Sequence, residues 1–141
     1  CCCRNIFVGG GELLDELKQK YSDSNKIEFL GQQQWTQFRP FLESARFMVL
    51  PSEWSENNPL TIIESQSLGT PVLGARIGGI PELIDEDING MTFKSGDAND
   101  LSEKIRLMMS ATFNYQSIAE PAQKKYSAES YYEKLMDIYR H

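Results

Sequence analysis

The chain has 141 residues, of which 40% are hydrophobic and 11% aromatic, so it can bury one core and is most simply a single domain. Its formal net charge of -6 comes without a basic stripe or an RNA-reading aromatic motif, which argues against a nucleic-acid partner. No apolar run approaches the roughly 20 residues of a membrane span and no secretory leader opens the chain, so we expect a cytoplasmic protein without a transmembrane segment.

The cysteines and the histidine stand at the two ends of the chain. Residues 1–3 are all cysteine, a spacing that suits neither a disulfide framework nor a zinc site. His141 is the last residue and the only histidine. We therefore expect no metal site, and imidazole base catalysis is almost excluded.

Two strand–turn–helix units begin the predicted fold. Residues 4–8 form a β-rich run that ends at three glycines, residues 9–11, before leucines at helical spacing over residues 12–21. The glycines do not complete a dinucleotide fingerprint, because Leu14 stands where a small residue is needed, so a plain turn is favoured. Residues 26–30 repeat the scheme, and the second predicted helix carries an apolar stripe of Trp35, Phe38, Phe41 and Leu42.

The third unit contains the most informative residues. Residues 46–50 are apolar on both faces, which is typical of a central parallel strand. The next helix is predicted to begin near Pro59, a residue favoured at the first helical position, with Asn58 placed to cap it. We expect its inward-facing stripe to consist of Leu60, Ile63 and Ser67.

The remaining elements are a fourth strand, a weak fifth strand and closing helices. The fourth strand at residues 71–75 is followed by Gly78 and Gly79 and by a brief helical turn at residues 81–84. The fifth strand covers residues 91–93, and the helices cover residues 99–111, 117–125 and 128–139.

This alternation predicts an α/β fold, a Rossmann-like parallel sheet flanked by helices, with right-handed crossovers. Turn and polar residues follow the carboxyl ends of successive strands, so the fold should bring them to one edge of the sheet. They are residues 9–11, 31–33, 52–58 and 78–79. That edge is the predicted site.

Glu56 and Glu64 are the candidate binding carboxylates. With Pro59 as the first helical residue, Glu64 would lie about 7 to 8 Å further along the axis, so the two can address different parts of one elongated ligand. A carboxylate can accept two hydrogen bonds from a ribose diol or bind sugar hydroxyls, and the amides at the helix start favour a phosphate between them. Taken alone, each glutamate is also explained as a solvated charge. Gly78 and Gly79 are better explained by backbone approaching a ligand than by a plain turn.

These residues also carry a family likeness. FLGQQ, FLESARFMVLPS, ENNPLTIIESQSLGTPVLGARIGGIPELI and NGMTFKSGDANDLSEKI resemble the C-terminal, nucleotide-sugar-binding domain of retaining GT-B glycosyltransferases of family 4. The central signature is E-x(7)-E, met by Glu56 and Glu64. Its register with PS before it and with GTPV and GGIPE after it makes the likeness specific.

The resemblance implies a role for each matching position. Glu56 would face the transferred sugar near the reaction centre, and Glu64 would bind the ribose hydroxyls. The turn that touches donor sugar and phosphate would be Asn57, Asn58, Pro59 and Leu60, the loop that lines the base would include Gly31 and Gln33, and Gly78 and Gly79 would lie beside the donor. The donor would be a nucleotide-diphosphate sugar, with no cofactor and no metal.

The resemblance also implies what the chain lacks. It starts after the family's Arg and Lys that neutralise the diphosphate, and it has no N-terminal domain to bind a saccharide or lipid-linked acceptor. We therefore expect a partial domain, lacking its first βα unit, that is inactive alone and prone to self-association through an exposed edge. The full-length enzyme would be cytoplasmic or membrane-peripheral.

Two alternatives stay open. The first is a non-catalytic, truncated module that binds nucleotide or another chain. The second is a sugar-nucleotide epimerase, a class that depends on acid/base groups, including histidine, that the predicted site lacks.

Overall fold

A computed structural model describes residues 4–140 of the chain. The interpretations of the cysteines at residues 1–3 and of His141 lie outside the described residues. The chain divides into two compact units, Cys1–Phe41 and Leu42–His141.

The first unit is built on a pair of parallel strands. Strand β1 (Asn5–Val8) pairs with strand β2 (Ile27–Gly31), and helix α1 (Leu14–Lys20) lies between them in the chain. The Phe7 and Phe29 rings face each other across this pair and stack with centroids 5.0 Å apart. Within residues 4–41, no residue is buried. Helix α2 (Trp35–Ser44) leads from the first unit into the second.

The second unit contains a three-stranded parallel sheet in the order β3-β4-β5. Its strands are β3 (Met48–Leu50), β4 (Val72–Ala75) and β5 (Gly90–Phe93). Strands β4 and β5 are buried along their whole length. Their side chains form a core cluster with a residue of the helix after β5, and its members are Leu73, Ala75, Met91, Phe93 and Met108.

Helices precede and follow the strands of this unit. Helix α3 (Leu60–Ser67) connects β3 to β4, and a 3-10 helix (Ile80–Leu83) follows β4. The chain continues through α4 (Ala98–Ser110), α5 (Tyr115–Lys125) and α6 (Ala128–Arg140). No helix between residues 4 and 140 combines the length and the apolar character that a bilayer crossing demands.

The predicted α/β fold with parallel strands flanked by helices is confirmed. The five strands, however, belong to a two-stranded and a three-stranded sheet rather than to one sheet. Strand pairing depends on residues far apart in the chain, so runs of apolar residues predict strands without predicting which strands pair.

Helix α3 begins near Pro59, as predicted, but its predicted cap is wrong. Pro59 is the N-cap rather than the first helical residue, with an extended ψ of 110°, and no side chain caps the helix, so Asn58 does not have the role assigned to it. The Pro59 carbonyl accepts a hydrogen bond from the Ile62 amide at 3.1 Å, which starts the first turn.

The predicted inward stripe of α3 is also wrong. The buried residues are Ile62, Ser65 and Gln66, whereas Leu60 is 65% exposed. Two of the buried side chains are polar and satisfied: the Ser65 hydroxyl donates to the Thr70 carbonyl at 3.0 Å, and the Gln66 amide donates to the Leu83 carbonyl at 2.7 Å. Hydrophobic periodicity cannot detect an inward face made of hydrogen-bonded polar residues.

Candidate functional site

Three loops of the second unit meet at the carboxyl ends of its strands. They are residues 51–59 after β3, residues 76–79 after β4 and residues 94–97 after β5. The Gly79 amide donates to the Glu56 carbonyl at 2.6 Å, which connects the first loop to the second. The Ser95 hydroxyl donates to the Ser52 carbonyl at 3.0 Å, which connects the first loop to the third. In a parallel sheet this edge is where ligands are bound.

Glu56 lies where the first two loops meet. Its carboxylate accepts a hydrogen bond from the Ser52 hydroxyl, with Oγ and Oε1 2.5 Å apart. The Glu56 residue is half-buried, and no other described residue donates to its second carboxylate oxygen. One oxygen is therefore anchored by the protein, and the other can accept from a ligand hydroxyl.

Gly78 and Gly79 are close to the backbone of the first loop. Gly78 has a φ of +55°, and a Cβ atom there would lie 2.5 Å from the Glu56 carbonyl oxygen. A Cβ atom on Gly79 would overlap the Asn57 carbonyl oxygen. These glycines therefore let the two loops pack together and hold Glu56 and Asn57 in place. Their proposed approach to a ligand stays a prediction.

The start of α3 leaves backbone amides without an acceptor. Within residues 4–140, the amides of Asn57, Asn58, Leu60 and Thr61 donate no hydrogen bond. Both asparagine side chains are exposed, while Pro59 is buried. Free amides and the positive end of the helix dipole favour an anionic oxygen at this point.

Glu64 follows these amides on an outward part of α3. It lies four residues after Leu60, so it is about 6 Å further along the axis, slightly less than the sequence predicted. At about 100° per residue, Glu64 and Leu60 both lie on the side of the helix away from the buried Ile62. No described residue donates a hydrogen bond to the Glu64 carboxylate, so it is available to a ligand.

Gly31 and Gln33 belong to the first unit. Gly31 ends β2 with a φ of +70°, and its carbonyl accepts from the Gly9 amide at 2.8 Å. The Gln33 side chain donates to the Leu30 carbonyl at 2.8 Å. Gly31 therefore connects the end of β2 to the turn after β1, whereas the Gln33 side chain makes a local contact in the loop after β2.

Two concavities of the structure are lined by residues other than the predicted carboxylates. The first, of about 460 Å³, belongs to the first unit and is lined by residues 7–14, Leu17 and Phe29. The second, of about 390 Å³, lies in the second unit and is lined by residues 43–46, Leu68, Thr70 and Tyr115. Glu56 and Glu64 line neither of them. Across residues 4–140, no three His, Cys, Asp or Glu side chains cluster as a metal site would require.

Ser52 and Ser95 carry no sequence motif that marks them as part of the site. Ser52 stood inside the predicted loop after the third strand, but its hydrogen bond to Glu56 has no sequence signature. Ser95 follows the fifth strand, and the rule that placed the other loops at the sheet edge applies to it as well. The position of Ser95 after the fifth predicted strand could therefore have placed it at this edge of the sheet.

Comparisons with known proteins identify a group of relatives. The family model described as glycosyl transferases group 1 matches residues 3–125. Sulfoquinovosyl transferase SQD2 of Arabidopsis thaliana is 35% identical over 109 residues, which are 75% of this chain and 21% of that protein. The O-antigen biosynthesis glycosyltransferase WbnH of Escherichia coli is 31% identical over 125 residues, covering 89% of this chain and 35% of that protein.

Solved structures share the fold. The crystal structure of Anabaena HepE in complex with UDP has a TM-score of 0.81 and 19% sequence identity, and the match covers 98% of this chain and 41% of that one. The chain therefore spans well under two thirds of the length of each of these proteins.

Proposed function

Because this chain belongs to the glycosyl transferases group 1 family, we propose that it is the donor-binding domain of a retaining family 4 glycosyltransferase. Its α/β fold is that of GT-B glycosyltransferases. The domain would hold a nucleotide-diphosphate sugar for transfer of a hexosyl group to a polysaccharide or glycolipid acceptor. HepE was solved with UDP, which makes UDP the first nucleotide to test.

The proposal depends chiefly on the free amides at the start of α3. They lie between Glu56 and Glu64 in the chain and can donate to the departing diphosphate, whose charge increases as the sugar bond breaks. Donors that are already in place need no rearrangement at the moment of reaction. Backbone amides can bind a phosphate whatever the side chains are, so the side chains of Asn57 and Asn58 need not take part.

The carboxylates would bind the two ends of the donor. Glu56, anchored by Ser52, would orient the transferred sugar, and Glu64 would accept hydrogen bonds from the ribose hydroxyls. That Gly31 and Gln33 line the base stays a prediction from the sequence. Gly78 and Gly79 would lie beside the donor and keep Glu56 in place.

Transfer would require more than this chain. The match covers only 21% of SQD2 and 35% of WbnH, and we propose that a further domain binds the saccharide or lipid-linked acceptor. The 141-residue chain would then bind the donor without transferring its sugar. Detectable turnover by this purified chain would contradict that part of the proposal.

Calorimetric titration with UDP tests the donor site directly. Replacing Glu64 by alanine removes a charged acceptor for the ribose hydroxyls, so binding should weaken by about 1 to 3 kcal/mol, roughly 5- to 150-fold in Kd. Glu103→Ala is the matched control, because Glu103 is an exposed glutamate on α4 outside the three loops.

The result of this titration distinguishes a donor-binding domain from a non-catalytic interaction module. An unchanged Kd in Glu64→Ala would contradict the role of Glu64. If the unmodified chain bound neither UDP nor GDP, the non-catalytic interaction module would be the better interpretation.

A further inference from the structure

A chain of two hydrogen bonds connects the loop after β5 to the Glu56 carboxylate. The Ser95 hydroxyl donates to the Ser52 carbonyl at 3.0 Å. The Ser52 hydroxyl in turn donates to Glu56 Oε1 at 2.5 Å. Both serines are half-buried, and Ser95 and Ser52 are 43 residues apart in the sequence. The contact is therefore tertiary, and local turn geometry does not explain it.

Ser95 stands on a turn that is fixed at both ends. The Asp97 amide donates to the Lys94 carbonyl at 3.1 Å, which closes the turn, and Gly96 takes a φ of +75°. The Lys94 amide donates to Asp100 Oδ2 at 2.6 Å. The buried end of β5 lies on one side of this turn and the first turn of α4 on the other. Ser95 is therefore held in a short turn between two regular elements, β5 and α4.

Glu56 needs such support because its own segment lacks regular structure. Residues 51–59 form neither helix nor strand, and a glutamate side chain has high rotamer freedom, which is costly to lose when a ligand binds. The Ser52 hydroxyl fixes one carboxylate oxygen before any ligand arrives. The Ser95 hydroxyl fixes the backbone from which Ser52 donates.

We propose that Ser52 and Ser95 are positioning residues, which hold the Glu56 carboxylate in the orientation that binds the transferred sugar. Ser52 acts on the carboxylate directly, and Ser95 acts through Ser52. The inference rests on the proposed function, in which Glu56 faces the sugar, and it assigns to the loop after β5 a part in donor recognition.

The first test observes Glu56 without any ligand. The carboxyl carbon of Glu56 is followed by ¹³C NMR in the 141-residue chain and assigned by its loss in Glu56→Gln. Ser52→Ala and Ser95→Ala should shift or broaden this resonance, whereas Ser95→Thr, which keeps the hydroxyl, should restore it. Ser102→Ala on α4 is the control. An unchanged Glu56 resonance in Ser95→Ala would overturn the inference, whether or not the chain binds a donor.

The second test measures the contribution of the sugar by calorimetry with UDP and UDP-glucose. Ser52→Ala and Ser95→Ala should lower the preference for UDP-glucose over UDP roughly 2- to 10-fold and leave the Kd for UDP unchanged. Ser95→Thr should recover that preference. A merely structural defect would weaken both ligands together.

The two tests distinguish failure of the inference from failure of the proposed function. If the chain binds no UDP but the Glu56 resonance responds to Ser95→Ala, the donor site fails and the hydrogen-bonded connection stands. A preference for UDP-glucose that survives in Ser95→Ala would overturn the positioning role. Equal affinity of the unmodified chain for both ligands would contradict the sugar role of Glu56 and, with it, the inference.

Discussion

The Asp97 side chain holds the first turn of α4. It is the N-cap residue, and its Oδ1 accepts hydrogen bonds from the amides of Asn99 and Asp100, each at 3.1 Å. The hydrogen bond from the Asp100 amide is the main cause that lowers the pKa of the Asp97 carboxyl below its ordinary value of 3.8, with Lys94 contributing in the same direction. The ionised carboxylate therefore stabilises the folded chain.

We predict that this stabilisation is lost in acid. Because the folded pKa is depressed, the contribution is present above the unfolded value near 3.8 and disappears as the pH falls through the lower, folded value. Asparagine also caps helices but does not titrate, so Asp97→Asn should be less stable than the parent near neutral pH, and the difference should shrink below about pH 3.8.

Urea unfolding midpoints between pH 2.5 and 7 measure this difference. Asp23→Asn is the control, because Asp23 is an exposed aspartate whose side chain caps no helix. A gap between Asp97→Asn and the parent that stayed constant across this pH range would contradict the assignment.

At the scale of elements, the pairing of β4 with β5 depends on one glycine. Gly90 is opposite Val72 in the parallel register, and a Cβ atom at position 90 would overlap the Val72 carbonyl oxygen. Val72 and Leu73 are completely buried, so β4 has little room to retreat.

Gly90→Ala should therefore destabilise the second unit by about 1 to 3 kcal/mol, the usual cost of forcing extra atoms into a packed core. Equilibrium urea unfolding measures the effect. Gly11→Ala is the matched control, since nothing lies within 4 Å of a Cβ atom there. Equal unfolding free energies for the two variants would show that β5 can move away from β4 at no cost.

The positions of helices and strands were easier to predict than the buried face of a helix or the pairing of strands. The β4 segment was predicted at residues 71–75 and found at Val72–Ala75, because a buried parallel strand requires a short apolar run between turn residues. The inward face of α3 was mispredicted, because Ser65 and Gln66 are buried through hydrogen bonds to residues beyond the helix. Such partners are set by tertiary structure and leave no periodic signal.

The candidate site shows the same division. The sequence predicted that the loops containing Glu56 and Gly79 lie at one edge of the sheet, because both follow the carboxyl ends of parallel strands. In the structure the Gly79 amide donates a hydrogen bond to the Glu56 carbonyl. The sequence did not predict the support of Glu56 by Ser52 and Ser95, since a serine hydroxyl can donate to many acceptors.

At the scale of the whole molecule, burial is distributed unequally between the two units. No residue within residues 4–41 is buried, and Phe7 of β1 is 52% exposed. The second unit contains completely buried apolar side chains, among them Ile62, Leu73, Ile80 and Met108. Since burial of apolar surface is the main favourable term in folding, the second unit should hold most of the stability. Self-association through an exposed edge stays a prediction.

Native-state hydrogen exchange can test this distribution at amides that are all hydrogen-bonded to backbone carbonyls. The amides of Asn5 and Gly9 donate within the first unit at 2.7 and 2.8 Å, and those of Val72 and Arg76 donate within the second unit at 3.0 and 2.7 Å. The four hydrogen bonds have similar lengths, so differences in protection from exchange report the free energy of the opening that exposes each amide. We expect Asn5 and Gly9 to exchange at least tenfold faster relative to their unprotected rates, a gap of about 1.4 kcal/mol or more.

Denaturant dependence sharpens the same experiment. Val72 and Arg76 should exchange only through an opening whose free energy falls steeply with added urea, because that opening exposes the core beneath β4 and β5. Asn5 and Gly9 should exchange through a smaller opening with a shallower dependence, because β1 and β2 bury little. Four amides with one common free energy and one common slope would instead show that residues 4–41 unfold together with the rest of the chain, so that the unequal burial has no counterpart in stability.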